Sequence, residues 1–318
     1  GSSRRGEQAL LLLNRRGFAA FLQCQTCAAV RMCPRCSISL TIHHGPPSLK
    51  CHYCGYSTAA DHACVECGNP TERARGVGTQ QVEQVVAERI PEARIARMDL
   101  DTTGTKWSHH TILDRVANGE VDVLVGTQMV AKGIDFPNVT LVGVIDADIG
   151  LHMPDFRAAE RTFQLITQVA GRAGRGPKGG RVLVQTRNPE HPALLLACRH
   201  DTEGFWAVEA GARADPSYPP YVALVNVVFS GTSAPAVSAE CARSTEWIAA
   251  LVAKQRLPVQ VLGPAPCPIE KIKDRYRWHC LLKGPDVALG RIVRYAASRL
   301  RGTDAVRVAI DRDPVAVM

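Results

Sequence analysis

Residues 121–145 read VDVLVGTQMVAKGIDFPNVTLVGVI, and this stretch decides the fold. It contains two apolar, β-branched runs, at 121–125 and 141–145, separated by a polar loop at 126–137. Short runs of this kind, bounded by turn residues, are typical of buried strands. In open α/β sheets, ligands bind outside the carboxyl ends of the strands. The polar loop therefore lies where a binding site is expected.

The same alternation continues on both sides of this stretch. Apolar runs predict further strands, and amphipathic runs predict helices between them: strands at 9–14, 94–98 and 181–186, and helices at 80–89, 108–118 and 157–170. Strands that alternate with helices of this length indicate a parallel sheet that is covered on both faces. The predicted fold class is therefore α/β, with a cysteine-rich insertion after the first strand.

Eight of the twelve cysteines form four C-x-x-C pairs in the insertion: Cys24/Cys27, Cys33/Cys36, Cys51/Cys54 and Cys64/Cys67. Two such pairs supply the four thiolates of a tetrahedral zinc site, so the cluster predicts two zinc ions. A closed Cys₄ site leaves no position for a reactive water, which favours a structural role. Disulfides are disfavoured because nothing in the sequence predicts secretion. The other cysteines, Cys198, Cys241, Cys267 and Cys280, lack this spacing and are expected to be buried thiols.

The spacing also bears on which pairs share an ion. The 14 residues between Cys36 and Cys51 are close to the usual gap between pairs that bind one zinc. Cys24/Cys27 would then close around Cys64/Cys67 in a nested arrangement, although sequential and cross-braced pairings also fit the spacing. Because eight cysteines satisfy two ions, four nearby histidines are expected at the surface: His43, His44, His52 and His62. The segment is poor in aliphatic residues, so zinc is expected to fold it.

Composition limits the class of protein. The chain has 318 residues, enough for about two domains, and a formal net charge of +8, which favours a polyanionic partner such as nucleic acid. Its apolar runs are far shorter than the ~18 residues that span a bilayer, and no signal-like segment is seen. We expect a cytoplasmic protein.

The C-terminal third predicts a second fold. Strands are expected at 221–229, 259–262, 277–282 and 305–310, and helices at 236–254 and 287–300. The order βαββαβ indicates a compact α+β sandwich with its helices on one face of the sheet.

This third also carries a local excess of basic side chains. Nine basic residues stand against three acidic ones between residues 270 and 301. Alternating arginines and aromatic rings suit contacts with phosphates and stacking on bases. The DNA-binding candidates are Lys271, Lys273, Arg275, Tyr276, Arg277 and Trp278. A charged hairpin whose Trp278 faces the core is the alternative interpretation.

Two motifs point to a known family. Thr127, Lys132, Gly133 and Asp135 resemble motif V of superfamily 2 helicases, and Gln168, Gly171, Arg172 and Arg175 resemble motif VI. Both motifs belong to the second RecA-like lobe of such helicases. The zinc cluster and the segments LLNRRGF (12–18), PDFRAAERT (154–162) and DRYRW (274–278) narrow the match. With them, the chain resembles the C-terminal part of the PriA family of bacterial replication restart proteins.

The resemblance implies an ATP-dependent 3′-to-5′ helicase that recognises stalled or abandoned replication forks, remodels them and promotes primosome assembly to reload the replicative helicase. It implies that Arg172 and Arg175 reach the γ-phosphate and that Gln168 senses the nucleotide. Motif V would couple the nucleotide cleft to one DNA strand. The implied partners are forked and single-stranded DNA, other primosome proteins, single-stranded-DNA-binding protein and the replicative helicase. The implied protein is a monomer associated with the nucleoid.

The chain contains no G-x-x-x-x-G-K-[ST] P-loop, so alone it is not expected to hydrolyse ATP. ATP and magnesium would require a working first lobe. The expected division is 4–16 and 74–205 for the RecA-like lobe, 17–73 for the zinc insert, and 210–318 for a C-terminal domain that binds DNA or partners. A fork-binding primosome scaffold with a degenerate motor is the alternative function, and a zinc-ribbon RNA-processing protein is a remote one.

Overall fold

In the computed structural model, the chain divides into two compact units. The structure describes residues 7–13, 21–43, 47–60, 63–73, 78–99, 106–127, 130, 138–171 and 179–317. Unit 1 comprises Gly1–Arg16, Arg75–Leu151 and Ala158–Trp206, and unit 2 comprises Gly17–Ala74, His152–Arg157 and Ala207–Met318.

The strands are β1 (Gln8–Leu13), β2 (Leu22–Cys24), β3 (Thr41–His43), β4 (Ser48–Lys50), β5 (Ser57–Ala59), β6 (Thr71–Arg73), β7 (Ile95–Met98), β8 (Val123–Gly126), β9 (Val139–Ile145), β10 (Arg181–Val184), β11 (Ala223–Gly231), β12 (Gln260–Ile272), β13 (Arg275–Gly284) and β14 (Val306–Arg312). The helices are α1 (Thr79–Arg89), α2 (Lys106–Ala117), α3 (Ala147–Leu151), α4 (Ala158–Ala170), α5 (Pro192–Cys198), α6 (Thr202–Ala212), α7 (Ala234–Lys254) and α8 (Asp286–Arg299). None of these helices is long and apolar enough to cross a bilayer.

A parallel five-stranded sheet, in the order β10-β9-β1-β8-β7, forms the centre of unit 1. The central strand is β1, although a long insertion separates it in sequence from its neighbours. Leu12 in β1 lies opposite Gly126 in β8 and Val144 in β9. Because all five strands run the same way, their carboxyl ends share one edge.

Helices cover both faces of this sheet. On one face, Val82 of α1 packs in a cluster with Leu13. On the other, Leu12 packs in a cluster with Ile166 of α4 and Leu194 of α5. Neighbouring residues of β1 thus enter different cores, as the two-residue period of a strand requires. The α/β fold class that the sequence predicts is confirmed.

Unit 2 contains a four-stranded antiparallel sheet in the order β12-β13-β11-β14. Helices α7 and α8 pack against one face, around buried residues such as Phe229, Ile248 and Ile292. The βαββαβ order is as predicted. Strand β12 continues to Ile272, well beyond the predicted 259–262. It does so because it pairs with β13 through a two-residue turn at Lys273 and Asp274, whose φ values of 47° and 59° suit a hairpin.

A second core of unit 2 joins the cysteine-rich insert to the C-terminal sheet. It includes Leu40 and Leu49 from the insert, Leu224 and Leu281 from the sheet, and Tyr218 from the preceding turn. The insert also contains a two-stranded ladder of β2 and β6 and a three-stranded sheet of β3, β4 and β5. The sequence analysis did not predict this shared core.

Two expectations about side-chain burial need correction. Cys241, Cys267 and Cys280 are buried as expected, but Cys198 is exposed because it ends α5 on the outer side. His52 is only 1% exposed, contrary to the expected surface position, and His43 is partly buried. The other two histidines, at 44 and 62, lie outside the described residues.

Gly126, at the end of β8, is predicted to tolerate no side chain. A Cβ there would lie 2.2 Å from Val130 Cγ2 and 3.0 Å from the carbonyl oxygen of Met98. We expect Gly126→Ala to lower the free energy of unfolding of unit 1 by about 1–3 kcal/mol through overpacking. Gly211→Ala is the control, because a Cβ at Gly211 has nothing within 4 Å. Urea unfolding measures both variants, and equal midpoints would contradict the prediction.

Candidate functional site

The four C-x-x-C turns share one local geometry. The residue after each second cysteine has a left-handed φ: 59° at Ala28, 49° at Ser37, 75° at Gly55 and 72° at Gly68. In three turns its amide donates to the carbonyl oxygen of the first cysteine, at 2.9–3.0 Å. Backbone amides also donate to the sulfurs of Cys24, Cys51 and Cys64. Each turn therefore aims two sulfurs at one point.

The sulfurs assemble into two groups of four. The outer zinc site consists of Cys24, Cys27, Cys64 and Cys67, and the inner zinc site of Cys33, Cys36, Cys51 and Cys54. Within each group all four sulfurs lie within 4.8 Å of one another. This is the nested pairing that the spacing favours, and it excludes the sequential and cross-braced alternatives.

The geometry fits zinc. Sulfur pairs lie 3.5 Å apart for Cys24 and Cys67, and 3.7 Å apart for Cys33 and Cys54. Tetrahedral zinc with bonds of about 2.3 Å places its sulfurs about 3.8 Å apart. Hydrogen bonding among the inner sulfurs raises the pKa of Cys36 and lowers the pKa of Cys54. A divalent cation removes this conflict because it stabilises all four thiolates. The protein therefore binds two zinc ions, one at each site.

The two sites differ in burial. Cys33, Cys36 and Cys51 of the inner site are at most 1% exposed and belong to the second core of unit 2. At the outer site, Cys27 and Cys67 are exposed. The inner ion is therefore part of a hydrophobic core, whereas the outer ion closes the base of the insert beside β2 and β6.

Polar groups surround the inner site. The Tyr218 hydroxyl donates to the carbonyl oxygen of Cys36 at 2.8 Å, and the Lys283 ammonium lies 4.1 Å from the centre of the Tyr218 ring. Lys283 is only 6% exposed, and burial lowers its pKa. A zinc ion with four thiolates carries two negative charges in excess, so this buried cation balances the site.

Two histidines that the sequence analysis did not single out as partners connect the insert to the C-terminal sheet. His52 Nδ1 lies 2.8 Å from the carbonyl oxygen of Pro266, and His279 Nε2 lies 2.5 Å from that of His52. Burial lowers the pKa of each ring to about 4, so both are neutral at pH 7. No sequence spacing indicates this pair, because 227 residues separate its members.

The helicase motifs lie partly within the described residues. Thr127 follows β8 directly, at the carboxyl edge of the sheet, and its carbonyl oxygen accepts from the amide of Val130 at 3.0 Å. Gln168 lies half-buried in the last turn of α4. The remaining predicted residues lie outside the described ones: Lys132, Gly133, Asp135, Arg172 and Arg175. Their roles stay predictions.

Carboxylates that the sequence analysis did not select also follow strands at this edge. Asp99 accepts from the Thr79 hydroxyl at 2.5 Å and pairs with Arg97 at 3.3 Å. Asp148 is buried and accepts from the amide of Arg187 at 2.8 Å. These contacts fix the loops that follow β7, β9 and β10. The signal in the sequence was an aspartate one to three residues after an apolar run.

The C-terminal candidates all lie on the β12–β13 hairpin, but on different faces. Lys271 and Lys273 are exposed near its turn, and Lys271 lies 5.3 Å from the Tyr276 ring centre. Arg275 donates to the carbonyl oxygen of Ser230 at 2.7 Å. Trp278 is partly buried against the helix-covered core, as in the alternative interpretation, and Arg277 points to the opposite face. A role for these residues in DNA binding stays a prediction.

Models of known protein families match separate parts of this chain. Three family models match: "Helicase conserved C-terminal domain" at residues 74–177, "PriA DNA helicase Cys-rich region (CRR) domain" at 33–58, and "Primosomal protein N C-terminal domain" at 214–315. Two solved structures are similar at low TM-scores. The Pyrococcus furiosus Hef helicase domain is 15% identical, with a TM-score of 0.28, over 62% of this chain and 25% of that one. The C-terminal domain of the DEAD-box protein Dbp5 is 11% identical, with a TM-score of 0.31, over 64% and 75%.

Curated relatives named "Replication restart protein PriA" match almost the whole chain. The Bacillus subtilis protein is 48% identical over 88% of this chain and 34% of its own length. The Synechocystis protein is 40% identical over 98% and 37%, and the Haemophilus influenzae protein is 36% identical over 98% and 42%. The chain thus spans between 34% and 42% of the length of these relatives.

Fold and sites together define a RecA-like helicase lobe that is interrupted by a two-zinc insert and followed by an α+β domain. Within that class, the chain belongs to the PriA family of replication restart proteins and corresponds to the C-terminal part of its members.

The difference in burial predicts unequal effects of losing each zinc ion. We expect Cys36→Ser to remove the inner ion and to destabilise unit 2 by more than about 4 kcal/mol, because a core loses its metal. Cys67→Ser should remove the outer ion and cost less than half as much. Zinc content by mass spectrometry and thermal unfolding test both variants. Equal destabilisation would contradict the assignment of the inner site to the core.

The left-handed turns give a second prediction, in opposite directions at two positions. Ala28→Gly should stabilise the zinc-loaded protein by about 1 kcal/mol, because a non-glycine residue is strained at φ 59°. Gly68→Ala should destabilise it by a similar amount, since its φ is 72° and a Cβ would have nothing within 4 Å. Thermal unfolding in excess zinc isolates the backbone effect. A change of the same sign in both variants would refute it.

Proposed function

We propose that this chain is the C-terminal part of a replication restart protein that binds branched DNA at stalled forks, remodels them by ATP-driven 3′-to-5′ unwinding and promotes reloading of the replicative helicase. The observation that carries the proposal is the order of parts: models of a Cys-rich region, a helicase C-terminal domain and a primosomal C-terminal domain match this chain in succession, and relatives of that name match 88–98% of it. The proposed parts are 4–16 and 74–205 for the lobe, 17–73 for the insert and 210–318 for the C-terminal domain.

The proposed motor acts across a cleft between two lobes. A P-loop outside this chain binds the phosphates of ATP and its magnesium ion. Arg172 and Arg175 approach the γ-phosphate and stabilise its developing charge, and Gln168 senses the nucleotide. Thr127, Lys132, Gly133 and Asp135 follow β8 and contact one DNA strand. Thr127 directly follows β8 at the carboxyl end of the sheet, and Gln168 lies in the last turn of α4. These two positions support the proposed arrangement.

The zinc insert is proposed to contact other proteins. Residues 18–73 contain four basic and three acidic side chains, a charge too small for clamping phosphates. Met32 and Val65 are 48% and 65% exposed near the C-x-x-C turns. Such apolar groups suit contacts with other primosome proteins or with single-stranded-DNA-binding protein. The hairpin residues 271–278 are proposed to contact DNA, and the protein is proposed to act at the nucleoid as a monomer.

ATP turnover by the full-length polypeptide tests the proposal. We expect turnover to rise at least tenfold with forked DNA and Arg172→Ala to reduce it by 10³ or more, as for an arginine that stabilises the transferred phosphoryl group. Fork binding by this variant should stay near that of the wild type. Arg89→Ala is the matched control, because Arg89 is exposed at the end of α1 and lies outside both motifs.

A salt series distinguishes the alternatives. Salt-sensitive fork binding without turnover would indicate a primosome scaffold with a degenerate motor. Tighter binding to double-stranded RNA than to a fork of equal length would indicate an RNA-processing protein. Equal turnover by the wild type and Arg172→Ala would refute the proposed role of motif VI.

A further inference from the structure

A groove of about 630 Å³ lies between α7 and α8, the helices that cover the C-terminal sheet of unit 2. Its volume is that of an ordinary ligand site. Leu251 and Leu257 line it from the side of α7, and Arg291, Arg294 and Tyr295 line it from α8. None of these residues belongs to a zinc site or to a helicase motif.

The spacing along α8 places the polar side chains of the groove on one face of the helix. Arg291, Arg294, Tyr295 and Ser298 follow one another at intervals of three and four residues, which brings them to the same side. The opposite side carries buried residues such as Ile292, which packs in the core against the sheet. The groove side is left to solvent, and Tyr295 is 56% exposed.

The end of α7 supplies the apolar side of the groove. Arg256 has a φ of 49°, in the left-handed region, and the helix ends just before it. The amide of Leu257 donates to the carbonyl oxygen of Val252 at 3.0 Å, which folds the chain back along the helix. Leu257 also packs against the core of the sheet. The groove therefore combines an apolar side that the core holds in place with a charged side that faces water.

The charge around the groove has one sign. Segments 247–258 and 287–302 contain no acidic side chain and six basic ones, all exposed: Lys254, Arg256, Arg291, Arg294, Arg299 and Arg301. Within the described part of the chain, none of these six forms an ion pair. By contrast, Lys271 of the hairpin pairs with Asp274, and Arg243 of α7 pairs with Glu240. Unpaired cations gathered around a groove favour an anionic ligand.

We propose that this groove binds a single strand of DNA, with Arg291 and Arg294 on neighbouring phosphates and a base stacked on Tyr295. The inference rests on the proposed function, in which the protein binds branched DNA. Residues three apart on a helix have Cβ atoms about 5–6 Å apart, so two guanidinium groups reach adjacent phosphates of one strand. An exposed aromatic ring in a basic groove binds unpaired bases whatever their sequence. A duplex keeps its bases stacked inside and would leave the ring and the leucines unused.

The length of the charged row distinguishes a nucleic acid from other anions. Arg291 and Arg299 lie eight residues apart, about 12 Å along α8. A row of this length follows a chain of phosphates, whereas one carboxylate is satisfied by a single arginine fork. An acidic peptide is the competing ligand.

The first test measures binding of the full-length, zinc-loaded polypeptide to an oligothymidylate of about eight nucleotides. The double variant Arg291→Gln, Arg294→Gln should lower the slope of log Kd against log salt by about 1.4, because each contact with a single-strand phosphate contributes about 0.7. Tyr295→Ala should weaken binding at least about fivefold with an unchanged slope. Arg243→Gln is the matched control: it removes an exposed but paired charge from α7 and should change neither quantity.

Ultraviolet cross-linking to the same oligothymidylate locates the contact. Trypsin cleaves after Arg294 and Arg299, so a thymine joined to Tyr295 should be recovered on the peptide 295–299. Equal salt slopes for the wild type and the double variant would overturn the inference, and so would the absence of this cross-link. It would also fail if the double variant lost binding to oligoglutamate but kept its affinity for oligothymidylate.

The two proposals fail in different ways. Fork-stimulated ATP turnover tests the proposed motor, because Arg291, Arg294 and Tyr295 lie outside both helicase motifs. Without turnover the motor is refuted, and the cross-link still decides whether the groove binds DNA. A wild type that binds forks but gives no cross-link on the peptide 295–299 would refute the groove alone.

Discussion

The buried charge of the inner zinc site is the constraint on which unit 2 depends. Four thiolates around one divalent ion leave two negative charges in a core from which water is excluded, and an unbalanced charge there is costly. The insert carries no buried lysine or arginine among its described residues that meets this need. Lys283, from the far end of the C-terminal sheet, lies against Tyr218 beside the site. The insert and the sheet are therefore parts of one core, although the chain of the helicase lobe runs between them.

The same requirement explains the concentration of aromatic rings and cations here. Tyr53, Tyr218 and Phe156 form one cluster, and Lys283, Arg157 and Arg213 lie at ring faces within it. A ring face tolerates a cation while keeping the apolar packing that a core needs. Arg213 is also paired with Glu209 at 2.7 Å, so its charge is balanced where it is buried. Positive charge can thus approach the zinc site without an isolated ion in the core.

The sequence predicted those features of the fold and of the zinc sites that depend on residues close together in the chain. Apolar runs of β-branched residues located the parallel strands, and the gap between Cys36 and Cys51 favoured the nested zinc pairing. It did not predict contacts between distant segments. Tyr218 and Cys36 are 182 residues apart, and His52 and His279 are 227 residues apart. A tyrosine and two histidines occur at these positions because a shared core brings the distant segments together.

The ladder between β2 and β6 has a consequence for how the chain folds. It pairs Leu22 with Arg73, so the insert leaves and returns at one place. The central strand of unit 1, which ends at Leu13, must find neighbours that begin only at Val123 and Val139. Such distant pairing is slow because a long loop must close first. A zinc-folded insert shortens that loop, which lowers the entropic barrier by on the order of 1 kcal/mol. Metal supply would then govern how quickly the helicase sheet assembles, even though the sheet itself has no metal ligand among the described residues.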